Sequence, residues 1–172
     1  MENQKKINNK GFSIVEIIIV VSILAVLTGV ASMSISVLTT RPVDDCTQRL
    51  KTVLEGNRIT TMGKLSSYLE IYKDGEGYIY IREYIDGEAK EKRIGENSVN
   101  VQFFVQGDQW YDLPDEANKL VIKFNRSSGS LKPQAGGTYD GKYIEKFAIS
   151  RGERRMEVAI DRLTGRVNVV YE

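Results

Sequence analysis

The sequence contains no histidine. That absence excludes His-ligated metal centres, Ser-His-Asp and Cys-His nucleophilic sites, and a histidine general base. A single cysteine, Cys46, leaves no partner for an intramolecular disulfide and excludes any CxxC metal or redox motif. An excess of one charge is lacking too. Lys and Arg number 24 and Asp and Glu 23, a formal net charge of +1, so there is no electrostatic case for nucleic acid as the main partner. No nucleophile motif or cofactor fingerprint stands out, and the composition points away from an enzyme and implies no cofactor or metal. What is present is ordinary for a folded protein: 41% hydrophobic and 27% charged residues in a chain of 172, room for one globular domain.

Polarity is unevenly distributed. Residues 1–11 carry Lys5, Lys6 and Lys10 against Glu2, a local net of +2. The next segment, through Thr40, contains one charge, Glu16, and the 24 residues from Ile17 to Thr40 contain none. As a helix rising ~1.5 Å per residue, that run reaches ~36 Å, enough for a ~30 Å hydrocarbon core. Everything after Arg41 is polar and mixed. The lysines on the short N-terminal side predict that end in the cytoplasm and the C-terminal body outside. A plain single-pass anchor accounts for this pattern. So does a secretory signal peptide, with small residues at Gly29-Val30-Ala31 before Ser32, although the apolar stretch is long and Glu16 sits inside it. A charge at the centre of a membrane helix costs roughly 2.5–3.5 kcal/mol and less near an end, so Glu16 needs a partner.

Lys10-Gly11-Phe12-Ser13-Ile14-Val15-Glu16, followed by the aliphatic run, resembles the type IV prepilin signature shared by type IV pilins and type II secretion pseudopilins. The resemblance implies cleavage by a prepilin peptidase between Gly11 and Phe12 on the cytoplasmic side, then methylation of the new amino group of Phe12. Gly11, lacking a side chain, lets a protease reach the backbone at the membrane surface. The family pairs the carboxylate at the position of Glu16 with a neighbouring subunit's N-terminus. Two charges costly alone in hydrocarbon become tolerable together and can set register between subunits. The implied partners are the peptidase, other pilin or pseudopilin subunits, an assembly platform protein with its ATPase, and the cytoplasmic membrane. The family often has a proline midway along the apolar helix, where this chain has Met33.

Behind that segment, Pro42 with Asp44 and Asp45 suits the first turn of a helix. Val43, Cys46, Leu50, Val53 and Leu54 then recur at helical spacing, continued less regularly by Met62 and Leu65, which predicts an amphipathic helix over roughly 43–65. Gly56 and Gly63 weaken it. The period then changes to two. Residues 68–73 and 78–84, joined by Asp74-Gly75-Glu76-Gly77, read as a hairpin, and Asp86-Gly87 turns into the charged segment 88–93. Further strands are expected at 99–105, 119–125, 143–150, 154–160 and 166–171, the later ones separated by Ser128-Gly129, Arg151-Gly152 and Thr164-Gly165. The fold class expected is therefore α+β. A long N-terminal helix, half membrane and half amphipathic, packs on one face of a C-terminal antiparallel sheet, in a pilin-like manner. The organisation expected is a leader at 1–11, an apolar assembly helix at 12–40, an amphipathic helix at 41–66 and a sheet domain at 67–172.

Val121-Ile122-Lys123-Phe124-Asn125 with Gly129, and Ala159-Ile160-Asp161 through Thr164-Gly165-Arg166-Val167, resemble the H-type minor pseudopilins. Cys46 reads as a buried thiol, with an intersubunit disulfide or lipidation as alternatives. The Asp-Gly pairs at 74, 86 and 140 read as turns, since none has the spacing of a Ca²⁺ loop. Trp110-Tyr111, placed in a loop beside Asp112 and Pro114, suits core packing or a partner contact. The basic residues of 90–93 and 151–155 alternate with Glu and read as solvated strand faces. The pilin resemblance implies a non-enzymatic subunit of a cell-surface or periplasmic filament; the alternative is a single-pass membrane-anchored extracytoplasmic binding or sensor domain, which would lack processing at Gly11.

Overall fold

A computed structural model describes residues 13–63, 65–107 and 109–171, with the side chains of 30–40 and 171 outside that description. Two compact units emerge, Met1–Val37 and Leu38–Glu172. Helix α1, Ile14–Met62, contributes to both. In the first unit its large apolar side chains from Ile14 to Leu27 are exposed. Hydroxyls in this stretch turn inward on the helix's own carbonyls: Ser22 Oγ donates to Ile18 O at 2.7 Å and Thr28 Oγ1 to Leu24 O at 2.8 Å. That arrangement lets a polar side chain sit on an apolar surface without an orphaned hydroxyl. Among the described residues, no helix is long and apolar enough to cross a membrane.

In the second unit α1 buries one face. Val43, Cys46, Leu50 and Leu54 are at most 1% exposed, as their spacing predicts. The same face continues with polar residues, Asn57 and Thr61, and Met62 and Leu65 are 42% exposed rather than core. Buried polarity there is matched in part. Asn57 Nδ2 donates to Glu83 Oε1 at 3.2 Å, and the Thr61 and Ser67 hydroxyls bond at 2.7 Å. Pro42 lies inside α1, as one long helix, half apolar and half amphipathic, requires, although a proline with two following acids would also suit the first turn of a separate helix. The helix is already formed before it, so the proline's missing N–H leaves the carbonyl of residue 38 without its helical donor.

The strands are β1 (Ser67–Lys73), β2 (Ile79–Ile85), β3 (Glu88–Gly95), β4 (Asn100–Val105), β5 (Trp110–Asp112), β6 (Leu120–Ile122), β7 (Ile144–Arg151), β8 (Arg154–Ile160) and β9 (Val167–Tyr171), with a 3-10 turn at Glu116–Asn118. They form an α+β arrangement with two antiparallel sheets where one was expected. Sheet A has the order β3-β2-β1-β6 and sheet B the order β5-β4-β7-β8-β9. Trp110-Tyr111 therefore belongs to a strand, not a loop. Alternation supplies the shared core. Leu69, Ile71, Ile79 and Ile81 come from sheet A; Val101, Phe103, Phe147, Ile149, Met156 and Val158 come from sheet B. The Asp86-Gly87 turn holds φ 49° and 92°, the left-handed pair that a two-residue hairpin requires. Gly165 shows why glycine closes the last hairpin: a Cβ there would lie 1.8 Å from the carbonyl oxygen of Gly129.

Candidate functional site

At the N-terminal end, Ser13 precedes α1 and its Oγ accepts the N–H of Glu16 at 3.2 Å. Ser13 and Glu16 are thus the S-x-x-E pair of a capping box, with the acid at the third helical position, where the helix dipole favours a carboxylate. Glu16 follows directly from where the helix starts. Gly11 and Phe12, the two residues of the expected scissile bond, lie outside the described residues.

In the body, Cys46 is 1% exposed and its thiol is pushed up to about 12, chiefly by burial, against a smaller opposing effect of Arg49. A thiol so placed is inert, packed toward Gly95, and matches the buried reading. The Asp-Gly carboxylates bond to backbone N–H groups: Asp74 Oδ1 accepts from Glu76 and Tyr78 at 3.0 and 2.8 Å, Asp140 Oδ1 from Gly136 at 2.6 Å, and Asp86 Oδ1 from Ser66 at the start of the first strand at 2.8 Å. Among the described residues, no group of three or more acidic or thiol side chains is placed to hold a metal ion. Tyr111 packs on the core and its ring stacks with Phe103 at 5.7 Å. Trp110 lies against Phe104 at 5.5 Å, with the Arg155 guanidinium 4.8 Å from its ring centre. Three of the basic strand residues are ion-paired: Arg154 with Asp44 of α1 at 3.0 Å, Arg155 with Glu157 at 2.9 Å and Arg93 with Glu96 at 3.4 Å.

One constellation escaped the sequence reading. On the outer face of sheet A, Glu70 stands opposite Arg82, flanked by the pairs Tyr68↔Tyr84 and Tyr72↔Tyr80. The Tyr68 and Tyr84 rings stack at 4.4 Å. Arg82 reaches Glu91 at 2.6 Å, Glu116 at 2.7 Å and Glu70 at 3.5 Å; Lys119 adds a second cation 3.2 Å from Glu70. The Tyr72 hydroxyl donates to Glu91, and burial followed by that bond raises its pKa. The Glu91 carboxyl is held below its usual range by the Tyr72 hydroxyl and then by Arg82. Its signal was the paired pattern Tyr-x-Glu-x-Tyr and Tyr-x-Arg-x-Tyr around one turn. Each charge meets its opposite inside the cluster, which makes it a brace across three strands and a turn.

Residues 6–32 match the prokaryotic N-terminal methylation motif. The chain carries the prepilin-type signature of type IV pilins and pseudopilins. No curated protein and no solved structure matches it. The match is confined to the N-terminal segment, so the body is understood through its own geometry. A prepilin-type N-terminus implies processing by prepilin peptidase and assembly with other subunits, and it points to a structural subunit rather than an enzyme. The capping role of Ser13 within that signature was legible beforehand as S-x-x-E but had not been read as a helix start.

Proposed function

We propose that this chain is a minor pilin or pseudopilin, cut between Gly11 and Phe12 and methylated on the amino group of Phe12. Before assembly it resides in the cytoplasmic membrane through residues 12–40, with the sheet body on the far side. The 24 uncharged residues Ile17–Thr40 and the lysine-bearing leader support that topology. A platform protein and its ATPase then draw the helix into a type IV pilus or type II secretion-type filament. Within the filament, Glu16 pairs with the cationic N-terminus of a neighbouring subunit and fixes axial register. The minor, H-type assignment rests on the short C-terminal resemblances at 121–129 and 159–167.

The single observation that carries the reading is the methylation motif at residues 6–32. Its test is the mass of the N-terminal peptide of the protein extracted from host membranes. A peptide beginning at Phe12 with one added methyl group is expected. One beginning at Met1 would leave a plain anchor, and one beginning at Ser32 would mean secretion; both overturn the proposal.

A further inference from the structure

A helix in apolar surroundings begins where something accepts its first N–H groups, because an unpaired N–H costs more there than in water. Ser13, Ser22 and Thr28 are the hydroxyl residues of the apolar first part of the chain's helix, and they act differently. Ser22 and Thr28 each donate back to a carbonyl four residues earlier, inside α1. Ser13 stands outside the helix and accepts instead. Its Oγ takes the N–H of Glu16 at 3.2 Å, one of the four that a helix start leaves open. Its carbonyl accepts the first regular helical bond, from Ile17 at 3.2 Å. Glu16 adds a carboxylate to the same first turn.

That contact fixes where along the chain the helix starts. An N-cap residue keeps non-helical backbone angles, so no continuous helix runs through Ser13 into the residues before it while the cap is made. The expected scissile bond, Gly11–Phe12, is formed by two of those residues. The sequence also holds a competing start close by. Asn8 and Asn9 are N-cap residues by type, and a helix begun at Asn9 would take Gly11 and Phe12 as the second and third residues of its first turn. Inside a helical turn the peptide groups lie along the axis and side chains cover their flanks, so a peptidase would have to unwind the turn to reach them.

We propose that Ser13 is a positioning residue for processing: by capping α1 it stops the helix short of the scissile bond and keeps Gly11–Phe12 available to the prepilin peptidase. This rests on the processing proposed above and deepens it, giving a task to a hydroxyl that the roles of Gly11, Phe12 and Glu16 leave unused. The methylation motif, which covers residues 6–32, brackets both the cap and the bond, and it implies an enzyme acting on this segment independently of the hydrogen-bond geometry. Ser13 acts through the backbone: it sets the fraction of chains in which the bond is presented. A substrate that is competent only part of the time binds with an apparent affinity reduced by that fraction, so losing the cap raises KM and leaves kcat in place.

The test uses the full-length chain in detergent, cut by host membranes that carry the peptidase. Initial rates of formation of the peptide beginning at Phe12 are followed by mass over a range of substrate concentrations. Ser13→Ala and Ser13→Val should raise KM roughly three- to tenfold, the span expected for a lost N-cap, with kcat within about twofold of the wild type. Ser13→Thr matches valine in size but keeps a hydroxyl, and Ser13→Asn differs in shape but still caps; both should stay within about twofold of the wild type. Ser22→Ala, which removes a hydroxyl inside the helix, should be cut like the wild type. Equal KM values for Ser13→Thr and Ser13→Val, a Ser13→Asn variant as poor as Ser13→Ala, or a loss confined to kcat would each overturn the positioning role and leave processing intact. A wild-type chain that keeps Met1 would overturn the processing reading and the positioning role with it, so the two failures are told apart by the wild type alone.

Discussion

Replacing Arg82 by Met tests whether the outer face of sheet A is held by charge or only by packing, because Met keeps the unbranched apolar stem and removes the guanidinium. Arg82 lies within 3.5 Å of three carboxylates, and one of them, Glu70, is only 6% exposed. Losing one partner of a buried pair costs ~3–5 kcal/mol, whereas exposed pairs are worth ~0–1. Lys119 remains beside Glu70 at 3.2 Å, and Glu91 and Glu116 have solvent to turn to, so the loss falls between these limits, about 2–3 kcal/mol. For a body of this size that lowers the melting temperature by roughly 5–10 °C. The assay is thermal unfolding of the full chain in detergent, followed by near-ultraviolet circular dichroism from the tyrosines. A second signature comes from pH. The Glu91 carboxyl is depressed in the folded state, so its stabilising contribution is present above the unfolded carboxyl pKa and disappears as pH falls through the folded value. The wild type should lose stability across that acidic window more steeply than Arg82→Met. A variant melting within about 2 °C of the wild type, with the same acid slope, would refute the charge-brace argument.

Glycine at 165 should be far less replaceable than glycine at 107, although both have positive φ. A Cβ at 165 meets Gly129 O at 1.8 Å, while one at 107 meets nothing within 4 Å. Thermal melts should show Gly107→Ala costing about 1 kcal/mol and Gly165→Ala disrupting the β8–β9 turn outright. Cys46, its thiol at about 12, should resist maleimide labelling at pH 8 in the folded protein and react fully in guanidinium; rapid labelling of the native state would contradict its burial. Glu16→Ala should leave membrane insertion intact and reduce recovery in sheared filaments; normal incorporation would sink the register role.

The hairpins were the most legible part of the fold, for a local reason. At β1–β2 and β7–β8, alternating aromatic and β-branched residues flank a turn whose residues tolerate few conformations, and the observed strands differ from the expected ones by a residue or two. The division into two sheets was hidden because β3 and β4, consecutive in the chain, do not pair with each other, and short strands are added at one edge of each sheet, β5 and β6. Each has three residues, and each is a strand only because a longer neighbour, β4 or β1, offers it an edge. Pro42 was compatible with a helix start or a helix interior, and the one long helix expected from the apolar and amphipathic patterns on either side of it is what forms. The functional motif was legible through residue identity alone: a glycine, an aromatic residue and an acid at fixed spacing before an aliphatic run. The Arg82 brace was not, since Glu91 and Glu116 reach it only after β3 has paired with β2 and the chain has returned past Pro114.

The order in which the chain visits its sheets bears on how the body can fold. It lays down β1, β2 and β3 in sheet A, crosses to sheet B for β4 and β5, returns to sheet A for β6, and ends in sheet B with β7, β8 and β9. Neither sheet can be finished before the other has been started. The hairpins β1–β2, β2–β3, β7–β8 and β8–β9 close over short loops and can form early. The pairings β1–β6 and β4–β7 span long stretches of chain and carry the larger loop-closure entropy. Interleaving of this kind welds the body into one cooperative unit, so a chain cut near residue 113 would leave both halves with open sheets and no independent core.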